Sequence, residues 1–370
     1  MKRILLLISL FVLIFSVSGC GNSGDTELPE YIQNVDRDGN ENINESSDII
    51  TLDDNVINLE KGLSAVKYEG DYGFDEFLKQ GGAASDSDVV AFLSENVLSS
   101  GGLSFGEFPF GCSTVSVKDS DGSFIFGRNF DWDSCNAMIV QSVPENGYSS
   151  ISTVNTDFIS MSGLKLSQLP DKAQAVICLY APLDGMNEMG LAVSVNMIQD
   201  SATISQNSGK PDITTTTAIR LLLDKAANVD EALELLEQYD MHASMGYMTH
   251  LALADTNGRS VAVEYINNKM VVIETPVVTN FYLADGDKYG IGTEQSHERY
   301  DILNKFLSEN KTADMSAVRD ALDSVSKDNF NEFESTEWSV VFNQSTGEVH
   351  YFHRENYDKK YVFSIKRENV

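Results

Sequence analysis

The sequence predicts an α+β fold in which antiparallel sheets are layered with helices. Strand-like and helix-like segments come in blocks (strands, two helices, strands, two helices, strands) rather than in strict alternation. The pair Asn257 and Gly258, between two alternating apolar segments, is the strongest hairpin signal in the chain. The 370 residues, 42% of them apolar, are enough to bury a large core.

Local signals place the individual elements. Ser85 or Asp86 is a predicted N-cap for a helix through Val97, because apolar residues follow at spacings of three and four. Two strands, 112–118 and 123–130, are predicted on either side of an Asp/Gly turn. Further strands are predicted at 176–180, 191–196, 250–254, 260–265, 270–274, 338–342, 348–353 and 361–365, and further helices at 213–226, from residue 230, at 296–308 and at 313–326.

The composition excludes several classes of function. The chain has 26 basic and 56 acidic residues, a net charge of −30, which repels phosphate backbones and excludes nucleic acid as a partner. Four cysteines without a CxxC pair argue against a disulfide-stapled scaffold and a cysteine zinc site. The five histidines show no HExxH spacing.

The N-terminus has the pattern of a secretory signal. Lys2 and Arg3 precede an uncharged run, 4–17, whose 14 residues are short for a membrane span of about 20. The run ends in Val-Ser-Gly-Cys, which resembles the lipobox of bacterial lipoproteins. That resemblance implies removal of residues 1–19, lipidation of Cys20, and attachment to the extracytoplasmic face of the bacterial cell membrane.

Composition divides the rest of the chain into three parts. Residues 20–73 are rich in Asp, Glu, Asn, Ser and Gly, and their first fifty residues have weak periodicity, which predicts an acidic tether. Residues 74–111 are predicted as a prosegment with one helix, followed by a Gly/Phe-rich approach. Residues 112–370 are predicted as the catalytic domain.

Cys112 begins the first strand of the predicted hairpin. The turn leaves two registers open, one with Asn129 opposite Cys112 and one with Asp131. In both registers Arg128 and Asp131 lie beside the thiol, so a guanidinium and a carboxylate flank it.

A thiol in this setting needs a lowered pKa or a neighbouring base to act as a nucleophile. Arg128 favours the thiolate, but no histidine is near in sequence, so a Cys–His pair would have to come from the fold. The other candidate base is the α-amine of Cys112 itself, freed by self-cleavage between Gly111 and Cys112, with Asp131 orienting the amine.

These residues resemble a known family. GCSTVSV followed by FGRNFDW, with Arg128 and Asp131 at 16 and 19 positions after Cys112, is similar to the choloylglycine hydrolase and penicillin V acylase group. These are cysteine N-terminal-nucleophile (Ntn) hydrolases of linear amide C–N bonds, with acid ceramidase as a distant relative. The resemblance implies a four-layer αββα Ntn-hydrolase sandwich, two antiparallel sheets between helices, which the pattern alone does not single out.

The resemblance also implies a set of site residues. Asn196 in DGMNEMGLAVSVNM and Asn280 in VVTN match the family's two asparagines, the first of them the oxyanion-hole asparagine, and Arg299 matches its later active-site arginine. With Cys112, Arg128 and Asp131 they form the predicted catalytic set. A structural reading stays open beside it, in which Arg128 and Asp131 form a salt bridge and the asparagines end strands or turns. The long upstream segment is closer to the activation of acid ceramidase than to that of bile salt hydrolases.

The predicted function is hydrolysis of a linear amide in a small N-acyl substrate through a thioester on Cys112. That chemistry requires no metal and no organic cofactor. Acyl transfer to an amine, a non-catalytic binding lipoprotein and a Cys–His protease are the alternatives. The sequence leaves open the oligomeric state, the acyl group and a disulfide between Cys135 and Cys178.

Overall fold

A computed structural model describes residues 48–97, 103–105, 111–161, 165–327 and 334–365. The predicted signal peptide, Cys20 and the tether up to residue 47 lie outside the described residues. Within the described ranges, none of the helices combines the length and apolarity that crossing a membrane requires.

The described strands and helices follow one another in mixed order along the chain. The strands are β1 (Ile57–Glu60), β2 (Leu63–Glu69), β3 (Leu103–Phe105), β4 (Gly111–Lys118), β5 (Phe124–Trp132), β6 (Ala137–Val143), β7 (Ser150–Asn155), β8 (Ile159–Met161), β9 (Asp184–Asn187), β10 (Ala192–Met197), β11 (Asp212–Thr214), β12 (Asp240–His242), β13 (Thr249–Ala254), β14 (Ser260–Ile266), β15 (Lys269–Glu274), β16 (Val277–Val278), β17 (Ser335–Asn343), β18 (Glu348–His353) and β19 (Tyr361–Ser364). The helices are α1 (Phe74–Lys79), α2 (Asp86–Asn96), α3 (Asp171–Leu179), α4 (Thr215–Lys225), α5 (Val229–Leu236), α6 (Glu294–Glu309) and α7 (Met315–Asp323).

Two large sheets carry the fold. The first has nine strands in the order β1-β2-β6-β7-β9-β10-β13-β14-β15, and the second has six in the order β16-β4-β5-β17-β18-β19. Neighbouring strands are antiparallel, except that β2 runs parallel to β6. A parallel neighbour needs a long connection, and here the chain between the two strands makes β3, β4, β5 and two helices.

Helices cover the outer faces of both sheets, while the inner faces pack on each other. α3 and α4 lie on the nine-stranded sheet, α6 and α7 lie on the six-stranded sheet, and β4 contacts β10 between them. Alternation along β4 and β5 explains the layering, because Cys112 and Phe130 belong to the core between the sheets, whereas Val115 and Ile125 belong to the core beneath the helices. The predicted four-layer α+β architecture is therefore confirmed.

The hairpin of β4 and β5 has a register between the two predicted ones. Cys112 lies opposite Phe130, and Gly111 lies opposite Asp131, so both predicted registers are wrong. The physical reason is a three-residue loop in which Gly122 adopts a φ of 95° and adds one residue to the turn. Side chains alternate between faces, so Asp131 points away from the face that carries Cys112.

Other local predictions also differ from the structure. Residues 176–180 were predicted as a strand, but 176–179 belong to α3 and Tyr180 is its C-cap. The second half of this helix is buried all round, so its apolar run mimics a buried strand. The described part of the predicted prosegment contains two helices rather than the one expected, because the short α1 precedes α2. Part of the predicted tether is folded as β1 and β2, although the division of the chain as a whole stays a prediction.

The cysteines of the described region are unpaired. Cys112, Cys135 and Cys178 are all free and buried, so the Cys135–Cys178 disulfide is absent from this structure. The Cys178 sulfur instead lies 3.7 Å from the sulfur of Met138.

Candidate active site

Cys112 lies at the start of β4, fully buried between the two sheets. Its backbone N–H donates to Oδ1 of Asn280 at 2.9 Å. Its Sγ lies 3.5 Å from the carbonyl oxygen of Val195 on β10. The sulfur and the backbone nitrogen of Cys112 are thus both held by neighbouring elements.

Arg128 fixes the sulfur side of the site. Its Nη2 lies 3.2 Å from the Cys112 Sγ and donates to the Val195 carbonyl at 3.1 Å. Its Nη1 donates to Asp184 Oδ2 at 2.6 Å, and its Nε donates to Ser194 Oγ at 2.7 Å. The guanidinium therefore has a single orientation. Its ionic partner is Asp184, so the alternative reading of an Arg128–Asp131 salt bridge is wrong.

The ion pair of Arg128 and Asp184 is sealed by aromatic rings. The guanidinium lies 5.1 Å from the ring centre of Phe130 and 5.6 Å from that of Trp338. The Trp338 Nε1–H also donates to Asp184 Oδ2 at 2.9 Å. Both side chains are completely inaccessible, so removing either one would leave the other buried without its ionic partner.

Asp131 acts on the opposite side of Cys112, through Arg299. It accepts hydrogen bonds from Arg299 on α6 and, at 2.7 Å, from the hydroxyl of Thr336. Arg299 then donates to Asn280 Oδ1 at 2.6 Å, the same oxygen that accepts the Cys112 N–H. Asn280 therefore holds the backbone nitrogen of Cys112 in the intact chain, while the orientation of a freed amine by Asp131 stays a prediction.

The two candidate oxyanion donors lie side by side on neighbouring elements. The Asn280 amide donates to the Met197 carbonyl at 2.7 Å. The Asn196 amide donates to the Val278 carbonyl at 3.3 Å, and its oxygen accepts from Ser194 at 2.8 Å. Both amide groups are thus positioned near β10 and β16, and the oxyanion role of each stays a prediction.

Burial decides the charge of the Cys112 thiol in this structure. It raises the pKa of the Cys112 thiol to about 12, and this effect outweighs the opposing attraction of Arg128. The sulfur is therefore a neutral thiol at physiological pH. A base that can take its proton is needed before it can attack a substrate.

No histidine hydrogen-bonds the Cys112 thiol in the described structure, so none is placed to act as that base. All five histidines lie in the described ranges, and each has its hydrogen bond elsewhere. They are His242 with Asp212, His250 with Glu264 and Thr279, His297 with Gly290, His350 with Glu348, and His353 with Glu60. The Cys–His protease alternative is thus contradicted. Among the described residues there is also no cluster of three His, Cys, Asp or Glu side chains that could hold a metal ion.

Gly111 directly precedes Cys112, at a position where any Cβ would press closely on its neighbours. A Cβ at this position would lie 3.0 Å from the Lys327 Nζ and 3.1 Å from both Cβ and Oδ2 of Asp131. The predicted scissile bond therefore has charged side chains packed against its glycine.

All six predicted catalytic residues contribute to this one buried network, but sequence reasoning missed several of their partners. Ser194 stands two positions before Asn196 on the same strand, so period-two alternation offered a signal for it. Asp184 begins the motif used to place Asn196. Thr336 and Trp338 carry no motif, and only the pairing of β17 with β5 brings them to the site.

Comparison with known proteins identifies the family. The model of the linear amide C–N hydrolases, choloylglycine hydrolase family, matches residues 112–316, more than half of the chain. The chain belongs to this family. The match begins at Cys112, so the family region starts at the residue on which the buried network converges.

Individual relatives agree with this membership. A penicillin V acylase of Pectobacterium atrosepticum is 32% identical over 99 residues, which are 24% of this chain and 26% of the relative. The match therefore spans about a quarter of that relative's length. Two variants of conjugated bile acid hydrolase from Clostridium perfringens superpose with TM-scores of 0.52 and 0.51 at 18% and 16% identity. The superpositions cover 70% of this chain and 93% and 94% of theirs, which shows a shared Ntn-hydrolase fold.

Proposed function

We propose that this choloylglycine hydrolase family member hydrolyses the amide of a small N-acyl substrate, with Cys112 as an N-terminal nucleophile. One observation carries the proposal. The backbone nitrogen and the sulfur of Cys112 lie in one buried site, where the nitrogen contacts Asn280 and the sulfur contacts Arg128. Every histidine forms its hydrogen bonds with other residues. The α-amine of Cys112 is the base that this arrangement supplies once the chain is cut.

The first step in the proposal is self-cleavage. The Cys112 sulfur adds to the carbonyl carbon of Gly111, the Gly111–Cys112 C–N bond breaks, and the thiol proton ends on the Cys112 nitrogen. Water then hydrolyses the resulting thioester, which leaves a carboxylate on Gly111 and frees the thiol. Asn280 supports this step because its oxygen already fixes the nitrogen that becomes the amine.

The catalytic cycle repeats the chemistry on an external amide. The α-amine takes the thiol proton, the sulfur attacks the substrate carbonyl, and the departing amine receives that proton. Water then hydrolyses the thioester to release the acid. In this proposal the amides of Asn196 and Asn280 turn from backbone carbonyls to the oxyanion, where each donor contributes on the order of 3 kcal/mol. Arg128 keeps the sulfur in place through its contact of 3.2 Å.

The relatives suggest the first substrates to test. The similar proteins are named for conjugated bile acids and for penicillin V. Conjugated bile acids and penicillin V are therefore the first two substrate classes, with other N-acyl amides next.

The sequence alone supports a location for this activity. The basic start, the uncharged run and Cys20 favour a lipoprotein held at the extracytoplasmic face of the cell membrane. Labelling with a radioactive or clickable fatty acid in a bacterial host tests it, because a Cys20→Ala variant is expected to lose the label.

The decisive experiment is the intact mass and N-terminal sequence of protein expressed from residue 21. We expect a new N-terminus at Cys112 and no cut in a Cys112→Ala variant. The cut protein is then tested for amine release from both substrate classes. A fully uncut, inactive wild type contradicts the proposal and favours the binding-lipoprotein alternative.

A further inference from the structure

A second buried network lies directly behind the site. His250 on β13 stands opposite Asn196 on β10, and its side chain is completely inaccessible. Its Nε2 lies 2.8 Å from the carbonyl oxygen of Thr279, and its Nδ1 lies 3.1 Å from Oε1 of Glu264. Thr279 directly precedes Asn280, so this histidine is one peptide unit away from the residue that holds the Cys112 nitrogen.

The partners of the ring determine its charge. A carbonyl oxygen only accepts, so the bond to Thr279 requires a hydrogen on Nε2. Glu264 also accepts from the backbone N–H groups of Leu283 at 2.7 Å and Ala284 at 3.0 Å, as an ionised carboxylate does. Burial raises the pKa of Glu264, but the hydrogen bonds from His250 and these amides outweigh it and hold the pKa below its ordinary value. The Nδ1 of His250 thus also faces an acceptor, so each ring nitrogen of His250 has an oxygen to which it can donate.

The pair holds one short segment at two points. His250 binds it at the Thr279 carbonyl, and Glu264 binds it at the N–H groups of Leu283 and Ala284. Asn280 lies between these two points. Its Oδ1 and Nδ2 then each reach a different target, the Cys112 nitrogen and the Met197 carbonyl. A shift of this segment moves both atoms together.

We propose that His250 is a positioning residue that, as a buried imidazolium paired with Glu264, sets the place of Asn280 for the reaction at Cys112. The proposal rests on the function proposed above and adds a residue that contacts neither the sulfur nor the substrate amide. Geometry of this kind matters because a displacement of about 1 Å in a catalytic group costs on the order of 100-fold in rate.

The chain contains a matched control. His353 is also buried and also pairs with a glutamate, since its Nδ1 lies 2.9 Å from Oε1 of Glu60. Its Nε2 has no hydrogen-bond partner within the described residues. Burial lowers the pKa of His353, against the opposing bond to Glu60, so this ring is neutral. The two histidines thus differ in the second hydrogen bond, and our proposal gives them different charges.

Two substitutions separate the two bonds of His250. In His250→Gln the amide nitrogen stands near the place of Nε2 and keeps a donor for Thr279, whereas in His250→Asn it stands near Nδ1 and keeps a donor for Glu264. We expect kcat to fall about 100-fold in His250→Asn and about 10-fold in His250→Gln, with little change in KM. We expect His353→Gln to lower thermal stability while kcat stays within about twofold of the wild type.

Nitrogen-15 NMR of histidine-labelled wild type tests the charge without any substitution in the measured protein. We expect two protonated ring nitrogens of similar shift for His250, and one protonated and one bare nitrogen for His353, each assigned by its loss in the glutamine variant. A neutral His250 ring, or a kcat in His250→Asn equal to that of the wild type, overturns the inference. If neither His250 variant folds, the His250 signals are assigned in the wild type by correlation of each ring with its backbone amide, and the wild-type spectrum still decides the inference. A wild type that is uncut and inactive contradicts the proposed function instead, whatever the spectrum shows.

Discussion

Two regions of the molecule contribute in different ways, the upstream segment (residues 48–97) and the downstream region (residues 111–365). Within the described residues, every hydrogen bond to Cys112 and Arg128 comes from the downstream region. The upstream segment nonetheless completes the nine-stranded sheet, because β2 pairs with β6 along seven residues. The contacts of the candidate site thus come from the downstream region, whereas both regions build the nine-stranded sheet.

The contacts of the upstream segment are largely apolar and deeply buried. Phe77 is 1% exposed and packs edge-on against Tyr180 at 5.6 Å between ring centres. Tyr72 hydrogen-bonds the buried carboxylate of Asp224 on α4. Each large apolar side chain buried in this way contributes about 1.5–3 kcal/mol. The proposed cut at Gly111 therefore breaks the covalent link without removing these contacts, and we expect the two pieces to stay together.

The largest expected effect is a loss of turnover without a loss of folding. Cys112→Ala removes the nucleophile, so we expect kcat to fall on the order of 10⁶-fold and the chain to stay in one piece. Circular dichroism and the elution volume should match the wild type, because the upstream contacts are untouched. Residual cutting or turnover in the alanine variant, measured by mass and amine release, would assign the nucleophile to another residue.

The next prediction compares the reactivity of two thiols, Cys112 and Cys178, before and after the proposed cut. Burial raises the pKa of both Cys112 and Cys178 to about 12 in the uncut chain. At pH 8 such a thiol is ionised in about one molecule in 10⁴, so neither reacts readily with iodoacetamide. After the cut, the free amine beside Cys112 can take its proton, and we expect rapid labelling of Cys112 alone.

Peptide mapping of a partly matured sample measures this contrast, because peptides from cut and uncut chains differ at residue 112. Cys178 is the internal control, since the cut does not touch it. Equal labelling of Cys112 in cut and uncut chains would show that the amine is not the base.

How much of the fold and of the candidate site could be predicted from the sequence depends on how far apart in the chain the interacting residues lie. The hairpin of β13 and β14 follows from Asn257 and Gly258, because turn chemistry is local. The register of β4 and β5 was missed for a reason that is also local, since a left-handed Gly122 lengthens the loop by one residue. The partner of Arg128 is Asp184, 56 positions away, and no spacing in the sequence encodes that distance.

In the upstream segment, composition alone also failed to predict a structural element. Its acidic composition predicts a tether, but four of the seven residues of β2 are buried, Leu63, Ala65, Val66 and Tyr68, although they do not alternate strictly with exposed ones. Composition averages over the whole segment, so its many acidic and polar residues mask this short apolar strand. Only the pairing with β6 reveals that the segment belongs to the core.

Weakening the apolar contacts is expected to have an intermediate effect. Phe77→Ala empties a buried site among aromatic rings, and such a change costs about 3–5 kcal/mol. In the cut protein, where no peptide bond joins the pieces, this loss favours dissociation of the upstream piece. Size-exclusion chromatography with mass detection should show co-elution in the wild type and separation in the variant. Co-elution of the variant pieces at every concentration would show that other contacts suffice.

The smallest expected effect concerns the ionic contacts of the same segment. Glu60 on β1 binds His353 at 2.9 Å and Lys359 at 3.3 Å, and its side chain is 29% exposed. Partly exposed pairs of this kind contribute about 0.2–1 kcal/mol, so we expect Glu60→Gln to lower the free energy of unfolding by that amount at pH 7. Urea unfolding in the uncut Cys112→Ala background measures it.

The pH dependence of that difference has a defined sign. Burial raises the pKa of Glu60, but the hydrogen bonds from His353 and Lys359 outweigh it, so the pKa lies below its ordinary value. A lowered folded pKa stabilises the protein above the unfolded value of about 4.3 and loses that contribution as the pH falls through the folded pKa. The difference in the free energy of unfolding between Glu60→Gln and its parent should therefore disappear at acidic pH. A gap at pH 7 as large as that of Phe77→Ala would mean that charges, rather than apolar packing, hold the upstream segment in place.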